Sequence, residues 1–106
     1  MVIFDISHNN FVGAIPEWIG NLSGLRILLL NGNQFEGKIP IVCALLRLSV
    51  LDLSHNLLSG IIPHCLDLSG MIPETFSKLE NIESLDLSHN KLSAGKSQSH
   101  SSTSIG

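Results

Sequence analysis

Three copies of one short stretch place an Asp, a Ser and a His within four positions. The stretch reads FDISHN at residues 4–9 and LDLSHN at both 51–56 and 85–90. These are the residue types of a hydrolytic triad, in which a His takes the proton of a Ser and an Asp orients the His. A triad needs one privileged nucleophile and donors for an oxyanion. An Asp, Ser and His set that recurs three times provides neither a single nucleophile nor donors for an oxyanion. We therefore predict no catalytic residue and no enzyme.

The same stretches supply three His, which could be read as metal ligands. A fourth copy of the pattern, LLLNGN at 28–33, has Gly32 where the others have His8, His55 and His89. A metal site needs donors within coordination distance in an unbroken cluster. We therefore expect a row of solvated polar side chains, with neither a metal nor a cofactor.

The four copies belong to a longer repeat. They start 24, 23 and 34 residues apart, and each is linked to a phrase Φ-x-G-x-I-P, where Φ is an apolar residue. These phrases are FVGAIP at 11–16, FEGKIP at 35–40, LSGIIP at 58–63 and LSGMIP at 68–73. One such unit cannot bury its apolar face alone, so the repeat predicts a stack of units with a shared core.

Each unit has a predicted internal layout. The Leu-x-Leu portion should be a short strand with two apolar side chains inward and the residue between them outward. The Asn that follows should turn inward and bond to carbonyls of its own and the neighbouring turn. Gly and Pro should turn the chain towards a segment with helical turns, over 17–25 and 74–82. The predicted internal ladder is Asn9, Asn33, Asn56 and Asn90, and the Ile residues expected to face the core are Ile15, Ile39, Ile62 and Ile72.

On these motifs the sequence resembles plant-type leucine-rich repeat proteins over residues 1 to about 93. LENIESLDLSHNKLS at 79–93 resembles the membrane-proximal repeats of receptor-like proteins in particular. The resemblance implies an α/β repeat solenoid with short parallel concave strands and an irregular or short helical convex side. It also implies a non-enzymatic module that binds a protein or peptide, with a role in defence or developmental signalling at the plant plasma membrane or outside the cell.

The resemblance also implies where a ligand would lie. In such families ligands often run along the concave surface, so outward residues of the predicted strands are the candidates. They are Ile27, Leu29, Val50, Asp52, Ser54, His55, Ser84, Asp86, Ser88 and His89. Two alternatives stay open: an inhibitor of a polygalacturonase that uses the same face, and a truncated gene product with no independent activity.

Charge and hydropathy exclude other partners. The net charge of −3 comes from six basic and nine acidic residues scattered singly, without the basic stripe that nucleic acid requires. The amino end does not read as a signal peptide, and the longest apolar run, IVCALL at 41–46, is too short to cross a bilayer. We expect no nucleic acid and no membrane insertion by this chain, which leaves its location open.

Two cysteines, one tryptophan and one sequon complete the features that the sequence offers. Cys43 and Cys65 fit neither a metal spacing nor a small disulfide scaffold, and buried free thiols are favoured over one bridge. Trp18 is interpreted as a packing residue. Asn21 begins NLS, the only N-x-[ST] sequon, and is a glycosylation acceptor if the chain reaches a secretory compartment.

The chain departs from a regular array in three places. The 34-residue interval predicts a shortened, irregular unit at 60–73 within about four repeats spanning 1–93. Residues 94–106 hold five Ser and one Thr without apolar periodicity, so we expect a disordered tail. Neither end shows a paired-cysteine cap, so we expect limited stability or self-association through exposed apolar ends.

Overall fold

The structure, a computed structural model, describes residues 1–66, 79–93 and 104–105. Within these ranges it contains nine strands and two 3₁₀ helices. The 3₁₀ helices are Glu17–Asn21 and His64–Leu66. The strands are β1 Ile3–Asp5, β2 Val12–Ala14, β3 Ile27–Leu29, β4 Gln34–Gly37, β5 Val50–Asp52, β6 Leu57–Ile61, β7 Ser84–Asp86, β8 Lys91–Ser93 and β9 Ser104–Ile105.

The repeated Leu-x-Leu portions form one side of a solenoid. Their strands pair in the order β1-β3-β5-β7, all parallel, and β9 joins the edge of β7 antiparallel. The register places Leu28 beside Leu51 and Leu51 beside Leu85. All three side chains are fully buried, because alternation along a short strand sends the middle residue to the core. The predicted concave sheet and solenoid are confirmed.

A second parallel sheet, in the order β2-β4-β6-β8, runs alongside the first and was not predicted. Three of its strands contain the Gly of the Φ-x-G-x-I-P phrase. Gly13, Gly37 and Gly60 have φ of +85°, +82° and +86°, a region that a residue with a β-carbon rarely adopts. A Gly within a short run reads as a strand breaker, which is why the sequence indicated a turn here.

The four coils are each made of one strand from each sheet: β1 and β2, β3 and β4, β5 and β6, and β7 and β8. Between the sheets lies one core of aliphatic side chains. Ile15, Ile39 and Ile62 are buried in it, as the repeat suggested, whereas Ile72 lies outside the described residues. The helical turns expected over 17–25 correspond to the 3₁₀ helix Glu17–Asn21; most of 74–82 is outside the described residues.

The 34-residue interval separates two coils that are direct neighbours. β5 pairs with β7, and β6 pairs with β8 so that Gly60 lies beside Leu92 and Ile61 beside Ser93. Of the irregular unit expected at 60–73, these first two residues pair in register, and 67–73 lie outside the described residues. The expected tail at 94–106 is likewise described only at Ser104–Ile105, which forms β9.

The first coil is the less covered end of the core within the described residues. Phe4 and Ile6 are only partly buried, whereas the residues at the same positions of the next coil, Leu28 and Leu30, are fully buried. Self-association through such an end stays a prediction.

The expectation of free thiols is wrong, because Cys43 and Cys65 form a disulfide with their Cα atoms 5.7 Å apart. Their sequence separation is 22, which is close to the repeat period. Residues one period apart occupy the same place in successive coils, so a spacing that suggests no scaffold in an ordinary domain brings two thiols together in a solenoid. Both cysteines follow the Pro of their phrase.

Three asparagines bridge successive coils. The Asn56 amide donates to the carbonyls of Leu30, Leu53 and Ser54 at 3.0, 3.1 and 3.2 Å, and its oxygen accepts from the Phe35 amide at 3.1 Å. Leu30 and Phe35 belong to the preceding coil, so one side chain joins two coils. All these backbone groups would otherwise be polar atoms in an apolar core.

The same pattern recurs at two further coils. Asn33 donates to Ile6 at 3.1 Å and accepts from Phe11 at 3.1 Å, and Asn90 donates to Leu53 at 2.8 Å and accepts from Leu58 at 2.9 Å. Asn9 in the first coil is exposed and donates to Ile6 and Ser7 of its own coil.

Replacing Asn56 by Ala should lower the free energy of unfolding by about 3 kcal/mol, because buried backbone groups of two coils lose their partner. Asn9→Ala is the matched control and should cost about 1 kcal/mol or less, since its bonds are exposed and lie within one coil. Urea unfolding followed by circular dichroism measures both. Equal losses for the two variants would contradict the bridging role of Asn56.

Reducing the disulfide should destabilise the chain by about 3 kcal/mol, the loop-closure value for a loop of this size. The measurement is urea unfolding with and without a phosphine reductant. A Cys43→Ala, Cys65→Ala double variant should already be as weak as the reduced wild type and should not respond to the reductant. An unchanged urea midpoint of the wild-type chain after addition of the reductant would contradict the presence of the disulfide.

Candidate functional site

The outward residues of the concave sheet line up in columns, because parallel strands in register place equivalent residues side by side. The strand register defines two columns: Ile3, Ile27, Val50 and Ser84, and then Asp5, Leu29, Asp52 and Asp86. By the repeat, two further columns follow the strands: Ser7, Asn31, Ser54 and Ser88, and then His8, Gly32, His55 and His89.

The Asp and Ser of each D-x-S stretch are bonded to each other. The Ser54 hydroxyl donates to Asp52 Oδ1 at 2.6 Å, and the Ser54 amide donates to the same oxygen at 3.0 Å. Ser88 and Asp86 repeat this at 2.6 and 2.9 Å. In a triad the Ser proton points to the His, whereas here it points to the Asp. These pairs therefore brace the turn after the strand and do not form a nucleophile.

The first coil carries the same pair in a more exposed setting. The Ser7 hydroxyl and amide donate to Asp5 Oδ1 at 2.7 and 3.0 Å. The hydroxyl bond is the main cause that holds the pKa of Asp5 below its ordinary value, followed by the amide bond, and His8 contributes in the same direction. Both bonds favour the ionised carboxylate because it is the better acceptor.

The His column occupies a backbone conformation that few residues adopt. His8, His55 and His89 have φ of 56°, 56° and 58°, and Gly32 at the fourth copy has φ of 73°. This left-handed region suits Gly and is tolerated by His more readily than by most residues. The exchange of His for Gly, which looked like an interrupted ligand column, is therefore explained by the turn.

Two of these His rings form an exposed stack. The rings of His55 and His89 lie 4.1 Å apart between centroids and 14° from parallel. At the other end Asn31 Nδ2 lies 3.4 Å from His8 Nε2. In the described part of the chain, no group of three or more His, Cys, Asp or Glu side chains is placed to hold a metal ion.

An apolar patch interrupts the polar columns in the middle of the sheet. Ile27, Leu29 and Val50 are half-buried there, on adjacent strands. Beside them, Asp52 and Asp86 lie directly opposite each other on neighbouring strands. Ser54, which follows Asp52, is almost fully buried. Two carboxylates directly opposite each other repel. The concave face thus offers apolar contact next to concentrated negative charge.

Two other residues singled out in the sequence lie away from these columns. Trp18 and Asn21 belong to the 3₁₀ helix between β2 and β3, and both are exposed. Trp18 packs against Phe4 in an edge-to-face arrangement with the ring centroids 5.9 Å apart, yet 51% of the Trp18 surface remains accessible. It is therefore only partly the packing residue that the sequence suggested.

No helix in the described ranges is long and apolar enough to cross a membrane.

The stacked coils, the Leu core and the Asn bridges define a leucine-rich solenoid. The family profile described as Leucine Rich Repeat matches residues 1–22, 24–46, 47–68 and 81–103. The chain therefore belongs to the leucine-rich repeat family.

Curated relatives and solved structures refine this class. The chain is 36% identical to Receptor-like protein 39 of Arabidopsis thaliana over 102 residues, and 38% identical to Receptor-like protein 31 of the same plant over 84 residues. These alignments cover 80% and 79% of this chain but only 12% and 9% of those proteins. The chain thus corresponds to a small part of the receptor-like proteins that it resembles.

Among solved structures, the ectodomain of the Arabidopsis receptor kinase HAESA, in complex with an extended IDA peptide hormone, matches with a TM-score of 0.72 and 33% identity. That match covers 87% of this chain and 14% of the ectodomain chain. The BIR3–SERK2 complex of Arabidopsis thaliana matches with a TM-score of 0.71 and 36% identity, over 84% of this chain and 43% of that chain. The fold is that of plant leucine-rich repeat receptor ectodomains.

Replacing Ser7 by Ala should raise the pKa of Asp5 back towards its ordinary value, because the hydroxyl that favours the carboxylate is removed. A lowered pKa in the folded state means that Asp5 stabilises the fold above its ordinary pKa and loses this contribution as the pH falls through the lowered value. A carboxyl-detected NMR titration gives the Asp5 pKa in both proteins. An unchanged Asp5 pKa in the variant would contradict the assigned hydrogen bonds.

Proposed function

We propose that this chain is a non-enzymatic binding module for a protein or peptide ligand, acting as part of a plant receptor-like protein outside the cell. Its relatives are receptor-like proteins, and the HAESA ectodomain of the same fold is solved with a peptide hormone. The Cys43–Cys65 disulfide supports an oxidising, extracellular setting, because disulfides persist there and are rare in the cytosol.

The observation that carries the proposal is the concave patch of Ile27, Leu29 and Val50 beside the Asp52 and Asp86 carboxylates. A flat row of apolar side chains at the centre of a polar sheet suits burial against a partner. Asp52 and Asp86 lie directly side by side on neighbouring strands, so their carboxylates repel each other. A cationic group of the partner would relieve this repulsion.

The spacing of the strands supports an extended shape for the ligand. Adjacent parallel strands are about 4.8 Å apart, so successive residues of one column have this spacing. An extended peptide laid across the strands therefore meets one residue of a column in each coil. The Asp–Ser bonds use Oδ1 of Asp52 and Asp86 and leave the Oδ2 atoms to a ligand. We therefore expect a peptide that presents an apolar side chain to Leu29 and a Lys or Arg to the two carboxylates.

A peptide-display selection tests this directly, with random linear peptides as the probe and the folded, disulfide-bonded chain as the target. Peptides enriched on the wild-type chain should carry an apolar residue and a basic residue within a few positions. A Leu29→Ser variant should weaken their binding at least tenfold, the loss expected when a central apolar contact is removed. An Asp52→Asn, Asp86→Asn variant should weaken it by a similar factor and abolish the preference for basic residues.

The matched control is Val12→Ser, which removes an exposed apolar side chain from the second sheet and should leave binding unchanged. Peptides that bind the Leu29→Ser and Val12→Ser variants equally well would overturn the assignment of the concave face. A selection that enriches no peptide on the folded chain would count against the binding function itself.

A further inference from the structure

We propose that Asn21 carries an N-linked glycan and that its first N-acetylglucosamine packs across the exposed indole of Trp18. The proposal concerns the side of the solenoid away from the concave columns. It requires passage through a secretory compartment but no ligand on the concave face, so it stands or falls separately from peptide binding.

The 3₁₀ helix Glu17–Asn21 brings the two residues together. A 3₁₀ helix has three residues per turn, so the side chains at positions i and i+3 lie one above the other. Trp18 and Asn21 have this spacing, and Asn21 is the acceptor of the only sequon in the chain. An Asn-linked sugar therefore starts one helical turn above an indole ring.

A cleft beside this helix has room for the sugar. It is lined by Glu17, Trp18, Gly20, Asn21, Ile41 and Ala44, so the acceptor is part of its wall. Ile41 and Trp18 are 68% and 51% exposed, which leaves an apolar floor in water. The apolar face of a pyranose ring can cover an exposed aromatic face. A sugar bonded to Asn21 would start at the rim of this cleft, because Asn21 is one of the lining residues.

The Trp18 indole and the adjacent cleft are already formed without the sugar. Phe4 contacts the Trp18 indole in an edge-to-face arrangement, with the centroids 5.9 Å apart, and half of the Trp18 surface stays accessible. At Gly20, a β-carbon would overlap the carbonyl oxygen of Ile41, so the helix lies close against the neighbouring coil at the base of the cleft. The sugar would thus meet a preformed surface.

The disulfide supplies independent support for the required compartment. Cys43 lies next to the cleft residue Ala44 and is bridged to Cys65. Disulfides form in the oxidising lumen of the secretory pathway, which is also where N-linked glycans are transferred.

The transfer is a substitution at an activated sugar. Asn21 Nδ2 forms a bond to C1 of the terminal N-acetylglucosamine of a lipid-linked pyrophosphate oligosaccharide. The C1–O bond to the pyrophosphate breaks and the lipid pyrophosphate leaves with its electron pair, while Nδ2 loses one proton to a base of the transferase. No oxidant or reductant takes part.

The first test is the intact mass of the full chain secreted from eukaryotic cells behind an added signal peptide. The wild-type chain should carry one N-glycan, which peptide N-glycosidase removes with conversion of Asn21 to Asp. Ser23→Ala should abolish the glycan while leaving Asn21 and the exposed helix intact, and Ser23→Thr should retain it. A folded, secreted wild-type chain without a glycan would overturn the proposal.

The second test reports on the contact itself, because Trp18 is the only Trp and the chain has no Tyr. Trimming with an endoglycosidase leaves a single N-acetylglucosamine on Asn21. That product should show blue-shifted indole emission and an acrylamide quenching constant about twofold below the Ser23→Ala chain, since one face of the half-exposed ring is covered. A trimmed chain with the same emission and quenching as Ser23→Ala would overturn the packing on Trp18.

Discussion

The structure depends on a side-chain amide that satisfies the backbone of two coils at once. The Asn56 side chain donates hydrogen bonds to the carbonyl of Leu53 in its own turn and to that of Leu30 in the preceding coil. Its oxygen accepts a hydrogen bond from the amide of Phe35 in the second strand of that coil. Without such a bridge the turn after each Leu-x-Leu strand would place unpaired carbonyls against an apolar core. Because Asn33, Asn56 and Asn90 each bond to the preceding coil, the coils stack at a fixed distance and their leucines form one continuous core.

The exposed face follows from the same turn. Once the Asn points inward, the residue before it adopts a left-handed conformation, which His55, His89 and Gly32 accommodate. The Ser two residues before the Asn then bonds back to the Asp at the end of the strand. Residues that suggest a hydrolytic triad are thus the consequences of one turn, repeated from coil to coil. The concave face is built from the side chains that project between these turns.

The period of the sequence was sufficient to predict the concave sheet, the buried leucines and the order of the columns, because a two-residue alternation and a fixed repeat leave little choice of register. It did not predict the second sheet, since Gly13, Gly37 and Gly60 have positive φ within strands and read as breakers. It also favoured free thiols over the Cys43–Cys65 bridge, since a separation of 22 residues becomes a contact only when the period is applied to every residue type. The outward positions of Ile27 and Val50 on adjacent strands could be located from the same alternation.

Amide hydrogen exchange measured by NMR tests the stacking account most directly. The amides of Leu30 and Leu53 bond to the carbonyls of Asp52 and Asp86 in the next coil at 2.9 Å, and those of Phe35 and Leu58 bond to the Asn56 and Asn90 side chains. The account predicts that these four amides are among the slowest to exchange and open together, because all rest on contacts between coils. Exchange of the Phe35 and Leu58 amides at the rate of solvent-exposed amides, with Leu30 and Leu53 still protected, would contradict it.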